Sequence, residues 1–180
     1  MARRRLSLLS QYKQPNGPMA ETQFLPDDAG ETKRPDLINV LGILTFINSG
    51  IFILVYGIGL LGMVGVSQMP VDEFVTLVMD AAGSYLPDEG KEQFDAIARI
   101  LHASGTTLML IYLLRTVARL IGALGIWKGK RSGFFLYAGA QLAGLFLPHL
   151  ILPWSMLGVF GPLMTVAITA LYGTQLKRLS

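Results

Sequence analysis

The chain has 180 residues, of which 52% are hydrophobic and 15% charged, with a mean hydropathy of +0.49 and a formal net charge of +3. A soluble domain has about 25% charged residues, so this composition is that of a membrane protein. The chain has no cysteine, which excludes disulfides, thiolate nucleophiles and cysteine-ligated metals or clusters.

The N-terminal region, residues 1–36, starts with basic residues and continues with Pro, Gly, Asp, Glu, Lys and Thr. We interpret its start as a basic amphipathic patch on an anionic membrane surface, with plain disorder as the alternative. From residue 13 onward there is no apolar periodicity, which is typical of a linker. The region is therefore expected to be a mostly disordered cytoplasmic tail, with Arg3, Arg4 and Arg5 at the membrane surface.

Four apolar segments follow, at 37–66, 98–127, 133–151 and 154–176. Crossing hydrocarbon takes roughly 20 residues of helix, and each segment meets this length. Gly161 and Pro162 are expected to bend the fourth. The sequence therefore predicts an all-α, four-transmembrane-helix bundle over residues 37–176, followed by a short cytoplasmic C-terminus at 177–180.

The segment between the first two spans, residues 67–97, has seven acidic residues and a single lysine, Lys91. This charge is typical of an aqueous loop. Apolar residues recur at helical spacing from Val71 to Ala82, with Asp72 and Glu73 off the stripe, which predicts a short amphipathic helix in this loop.

The distribution of basic residues predicts the orientation, because Lys and Arg are retained on the cytoplasmic side. With both termini in the cytoplasm, eleven basic residues lie inside, including a membrane-surface group at Lys128, Lys130 and Arg131. Only Lys91 and Arg99 then lie outside. We therefore expect cytoplasmic termini and an external acidic loop.

The remaining two basic residues, Arg115 and Arg119, lie within the second span, and no Asp or Glu follows Asp95. Counted from Trp127 at about 1.5 Å per residue, they lie roughly 18 and 12 Å inside the membrane. A guanidinium stays charged, so in lipid it needs a partner or a headgroup. Because they are four residues apart, both arginines share one helix face.

Three polar residues on the other spans, Asn48, Gln141 and Thr165, fall at a similar depth and are predicted to join the arginines in one layer. None brings a negative charge. We predict that this layer binds an anion: a carboxylate of another subunit, a lipid phosphate drawn inward or an acidic small molecule. In the alternative, the second span is long or tilted, and the arginines reach inner-leaflet phosphates.

The two histidines, His102 and His149, are expected at similar depth near the outer ends of neighbouring spans. Two such imidazoles could ligate haem iron or another metal. However, a histidine at a helix end commonly caps carbonyls or faces interfacial water, and these spans carry no carboxylate as a third ligand. We therefore expect no metal and no cofactor.

Residues 122–142 read GALGIWKGKRSGFFLYAGAQL. Through Trp127, Lys128, Lys130, Gly133, Phe134 and Tyr137, this segment resembles the inner hairpin of small uncharacterised four-span membrane proteins of bacteria. The resemblance implies a bacterial inner membrane and no particular activity.

These patterns together favour a non-catalytic integral membrane protein, an accessory or structural subunit of a membrane complex. The alternatives are a small transporter or channel and, after it, a haem- or metal-binding protein. Known transporters usually combine broken helices in repeated halves with relay carboxylates, which the spans lack. The expected partners are membrane lipids, including anionic headgroups, and other membrane subunits or further copies of the chain, but no nucleic acid. No nucleophile and base set indicates an enzyme.

Overall fold

The computed structural model describes residues 24–85 and 87–180. Arg3, Arg4 and Arg5, predicted to lie at the membrane surface, fall outside these residues. The described residues form helices joined by short 3₁₀ turns, and the helices are α1 (Asp36–Val66), α2 (Val71–Ala82), α3 (Asp88–Trp127), α4 (Arg131–Phe146) and α5 (Phe160–Gly173). The fold is thus all-helical, apart from an isolated antiparallel bridge between Phe24 and Leu179.

Three helical segments in the described part of the chain are long and apolar enough to cross a membrane: Asp36–Val66, Gly90–Trp127 and Arg131–Leu150. This fits a membrane protein. The four-span bundle, however, is not confirmed. In the predicted fourth span, α5 has only 14 residues, a length of about 21 Å at the helical rise, against roughly 30 Å of hydrocarbon.

The late start of α5 has a local cause. Pro153 interrupts the helical backbone, and Gly158 adopts a left-handed φ of 62°, which glycine accepts without steric cost. Gly161 and Pro162 then lie in the first turn of α5, where a missing backbone N–H is no loss. The sequence predicted a bend at these two residues, whereas the structure has a helix start.

Helix α3 occupies the centre and packs against α1 on one side and α4 on the other. Its contact with α4 is a contact between backbones. A Cβ atom on Gly133 would lie 2.6 Å from the backbone of Gly125 and Ile126, and one on Gly122 would lie 2.6 Å from the backbone nitrogen of Tyr137. Small residues allow such close approach, which strengthens van der Waals packing in lipid.

We call the end of the bundle at the turn between α3 and α4 its inner end, and the opposite end, where α2 lies, its outer end. Both ends of the described chain meet at the inner end. The backbone N–H of Leu25 donates to the carbonyl of Arg178 at 2.8 Å, and that of Arg131 donates to the carbonyl of Ser180 at 2.8 Å. The segment after α4 therefore returns to the level at which α4 began.

We name residues 24–35 together with residues 176–180 the terminal clasp. Its Arg178 guanidinium pairs with Asp27 at 3.1 Å, and Arg34 donates from Nε to the Trp127 carbonyl at 3.0 Å. The sequence predicted a mostly disordered tail here. The structure instead gives residues 24–35 defined partners, because backbone carbonyls at helix ends offer acceptors that the linker composition does not reveal.

Buried side chains concentrate at the two ends of the bundle. The inner-end core consists of Phe24, Ile38, Leu41, Ala123, Ile126, Tyr137, Tyr172 and Leu179. A smaller outer cluster joins Phe74 and Val75 of α2 to Ala98 of α3, which confirms a short amphipathic helix packed at the mouth of the bundle. Between them, residues 50–66 of α1 include no buried residue.

Candidate functional site

Arg119 lies on α3 and reaches across to α1. Its Nη2 donates to the Asn48 Oδ1 atom at 2.5 Å and to the Ser49 Oγ atom at 3.2 Å. Its Nε is buried and has no hydrogen-bond partner among the described residues. The guanidinium, which has five N–H donors, thus meets only neutral oxygens and retains unused donor capacity.

Arg115, one helical turn away, reaches in the other direction, toward α4. Its Nη2 donates to the Gln141 Oε1 atom at 3.2 Å, and its Nε is likewise buried without a described partner. The side chain lies directly over Gly144, where a Cβ atom would overlap the guanidinium. The absence of a side chain at residue 144 therefore creates the space that Arg115 occupies.

Tyr137 on α4 holds the Gln141 amide in place. The Gln141 Nε2 group donates to the Tyr137 hydroxyl at 3.2 Å, which turns the amide oxygen toward Arg115. Both side chains are buried. Arg115 is therefore oriented by a chain of hydrogen bonds on α4, whereas Arg119 is held by α1.

Helices α1, α3, α4 and α5 border a cavity of about 500 Å³, which we name the Arg119 cavity. It is lined by Leu41, Leu44, Thr45, Asn48, Arg119, Tyr137, Gln141, Met164, Thr165 and Ile168. The volume is within the range of about 300 to 1,000 Å³ found for small-molecule sites. Four of the five residues predicted to form the polar layer thus line this cavity: Asn48, Arg119, Gln141 and Thr165. The fifth, Arg115, does not line the cavity but donates a hydrogen bond to Gln141.

Within the part of the chain that the structure describes, no ion pair compensates the charge of Arg115 and Arg119. Neither α1 after its first residue nor the chain beyond Asp95 carries an Asp or Glu. The ion pairs formed within the described residues lie elsewhere: Arg99 with Asp72 and with Asp95 near the outer end, and Arg178 with Asp27 in the terminal clasp. The two arginines are permanent cations, and their hydrogen-bond partners among the described residues are amide and hydroxyl oxygens.

Sequence reasoning missed three polar contributors, Thr45, Ser49 and Tyr172. The Thr45 hydroxyl and the Tyr172 hydroxyl are hydrogen-bonded at 3.1 Å, and both residues are buried. A signal was present: Thr45, Asn48 and Ser49 follow the i, i+3, i+4 spacing of one helix face in an otherwise apolar span. This face of α1 is the one that meets Arg119.

The two histidines have different surroundings. The His102 Nε2 atom lies 2.9 Å from the Met69 carbonyl oxygen, and its ring is tilted against Phe74. His149 stacks on Trp154 with ring centroids 5.2 Å apart. Among the described residues, no group of three or more His, Cys, Asp or Glu could hold a metal ion. His102 is thus held by a hydrogen bond and a ring contact, whereas the buried Nδ1 atom of His149 has no hydrogen-bond partner among the described residues.

The basic residues at the inner end remain accessible. Lys128, Lys130 and Arg131 are exposed in and beside the turn between α3 and α4. In the nearby clasp, the backbone N–H of Glu31 donates to the Asp27 carboxylate at 2.8 Å and, with smaller contributions from Ala29 and Arg178, lowers the pKa of Asp27 below its ordinary value. Asp27 is therefore charged at neutral pH.

Comparisons of the chain with protein-family models, with curated proteins and with solved structures give no match. The functional argument consequently depends on the geometry described above.

Proposed function

We propose that this chain is a non-catalytic integral membrane protein, an accessory or structural subunit that binds an anionic group within the membrane through Arg119. The anion is a partner carboxylate or a lipid phosphate. One observation carries the proposal: Arg119 lines a cavity of about 500 Å³ and meets only neutral partners, Asn48 and Ser49.

The energetic argument starts from the cost of an unpaired charge in a nonpolar medium. Burying an isolated ammonium or guanidinium is far more costly than burying a neutral amide. Neutral hydrogen bonds offset part of this cost, whereas an anion adds direct charge compensation and a bidentate geometry. A ligand that brings a carboxylate or phosphate into the Arg119 cavity therefore stabilises the folded protein.

The proposed location is the bacterial inner membrane, with both termini cytoplasmic and residues 67–97 outside. The inner end of the bundle gathers Lys128, Lys130, Arg131, Lys177 and Arg178. The acidic residues of the outer loop lie at the opposite end. Retention of basic residues in the cytoplasm supports this orientation.

A small transporter is the second candidate function. The observation that favours it is the interrupted helix between α4 and α5, with 3₁₀ turns at Leu147–Leu150 and Trp154–Leu157, since broken helices are common at transporter sites. The subunit proposal has the better support because the inner-end core closes the cavity toward the inner side.

The proposal is tested with the full chain purified in native lipid discs, followed by mass spectrometry of everything that co-purifies. We compare wild type with Arg119→Gln, and we use Arg99→Gln as the control because it removes an exposed arginine charge at the outer end. An anionic lipid or acidic protein that is retained by wild type and Arg99→Gln, and lost from Arg119→Gln, supports the proposal. Equal anion content in all three proteins would refute it.

A further inference from the structure

We infer that the anion in the Arg119 cavity is the headgroup of a membrane lipid, which reaches Arg119 sideways from the bilayer through the gap between α1 and α5. This inference rests on the proposed function and selects one of its two ligand classes. It depends on where the cavity is closed, where it is open and how its polar and apolar walls are arranged.

The cavity is closed toward the inner end. Ile38 of α1, Ile126 of α3 and Tyr172 of α5 are fully buried there, and Phe24 and Leu179 of the terminal clasp pack against the same cluster. These side chains lie between the cavity and the basic turn. A water-borne anion approaching from that side would have to displace this buried cluster.

The cavity is open between α1 and α5. Leu44 on α1 is 59% exposed and Met164 on α5 is 42% exposed, although both line the cavity. Asn48, the hydrogen-bond partner of Arg119, is also exposed. Helix α5 packs mainly on α4 and touches α1 only briefly. In a bilayer this opening faces hydrocarbon, so the molecules that meet it are lipids.

The walls match an amphiphile. Arg119, Asn48 and Gln141 form the polar side, whereas Leu44 and Met164 form the apolar rim of the opening. A phosphate placed at Arg119 would have its hydrocarbon chain leaving between the two exposed rim residues. The hydrogen bonds of Arg119 to Asn48 and Ser49 both come from Nη2. The guanidinium therefore keeps further N–H donors for a phosphate, which it binds through paired N–H groups.

A second, apolar groove of about 310 Å³ runs between α4 and α5, and Leu142 and Val166 are among its lining residues. It shares Gln141 and Thr165 with the Arg119 cavity. The Arg119 cavity and the groove are therefore adjacent. We infer that the groove holds a second acyl chain of the same lipid.

The test uses the full chain in lipid discs made of phosphatidylcholine with a minor fraction of phosphatidylglycerol, and native mass spectrometry counts the retained lipids. A parallel sample in detergent with inorganic phosphate tests a free anion. Wild type is compared with three variants: Arg119→Gln removes the charge, Met164→Trp blocks the opening, and Leu163→Trp adds the same bulk at an exposed neighbour outside the lining.

We expect wild type and Leu163→Trp to prefer phosphatidylglycerol by about tenfold, the change that one charge-assisted hydrogen bond supports. Arg119→Gln should lose this preference, and Met164→Trp should lose the retained lipid. Circular dichroism and the oligomeric state confirm that each variant is folded.

Two results would overturn the lipid inference: no preference for the anionic lipid in wild type, or an unchanged preference in Met164→Trp. If inorganic phosphate or a co-purifying acidic protein binds in an Arg119-dependent manner while lipid does not, the lipid inference fails and the proposed function stands. If no anion binds in an Arg119-dependent manner, both fail.

Discussion

In the inner half of the bundle, α3 and α4 meet backbone to backbone, whereas in the outer half α1 and α3 meet through flexible side chains. A Cβ on Gly133 would collide with the backbone of Gly125. A Cβ on Gly105 would meet only the end of the Met63 side chain, and one on Gly57 would meet nothing within 4 Å. The same residue type thus serves close packing in one half and leaves open surface in the other.

The contrast extends to polar groups. The inner half contains the hydrogen bonds of Arg115 and Arg119 and the buried hydroxyl pair of Thr45 and Tyr172. In the outer half, residues 50–66 of α1 are apolar and include no buried residue. In lipid, apolar side chains can face the hydrocarbon without being covered by protein. Polar groups need hydrogen-bond partners and close backbone contacts need small residues, so both fix how the helices pack. The inner half therefore contains the contacts that fix the packing, whereas the outer half of α1 has the length and apolarity of a segment able to cross hydrocarbon.

The largest effect is expected where backbones touch. Gly133→Ala should lower the free energy of unfolding by about 2 to 3 kcal/mol, because the added methyl group forces α4 away from α3. Gly57→Ala is the matched control from the outer half and should change the free energy of unfolding by less than about 0.5 kcal/mol. Unfolding by denaturing detergent measures both values. Equal losses for the two variants would contradict the contrast between the halves.

A smaller effect is expected at Gly144, where a new Cβ meets the Arg115 side chain, which can move, instead of a backbone. Gly144→Ala should cost about 1 kcal/mol. In the background of Arg115→Gln, whose shorter side chain leaves the space free, the same change should cost about 0.5 kcal/mol less, which a double-mutant cycle detects. Gly139→Ala on the same helix, with nothing within 4 Å, is the control. Strict additivity would show that Arg115 does not occupy this space in the membrane.

The smallest effect concerns the terminal clasp. The pKa of Asp27 is lowered in the folded protein by the Glu31 N–H and then by Ala29 and Arg178, so the charged form stabilises the clasp. This contribution is present above the ordinary carboxyl pKa of about 3.9 and is lost as the pH falls through the lower folded value.

Amide hydrogen exchange at Ala29 and Glu31 measures this effect. At pH 6, Asp27→Ala should exchange faster than wild type at both amides, because they lose their carboxylate acceptor. The ratio of the exchange rate in Asp27→Ala to the rate in wild type should fall toward one as the pH drops below the pKa of Asp27 in the folded protein. A constant ratio would mean that the carboxylate charge does not hold the turn.

Part of the fold was predictable from local pattern. The uncharged run of 37–66 corresponds to α1, and the amphipathic stretch from Val71 to Ala82 is α2, because span length and helical periodicity are local properties. The polar layer was also predictable in outline, since depth follows from helical rise. The predicted fourth span was not confirmed, because hydropathy alone does not reveal where Pro153 and Gly158 interrupt the backbone.

The sequence by itself determined that apolar segments long enough to cross a membrane exist and that two arginines lie deep within one of them without a carboxylate. Only the tertiary structure decided that Arg115 turns toward α4 and Arg119 toward α1, and that a cavity opens beside Arg119. The physical reason is that hydropathy and charge follow from each residue locally. The direction of a side chain and the space beside it depend instead on which helix packs opposite, and here glycine contacts between distant segments set that packing.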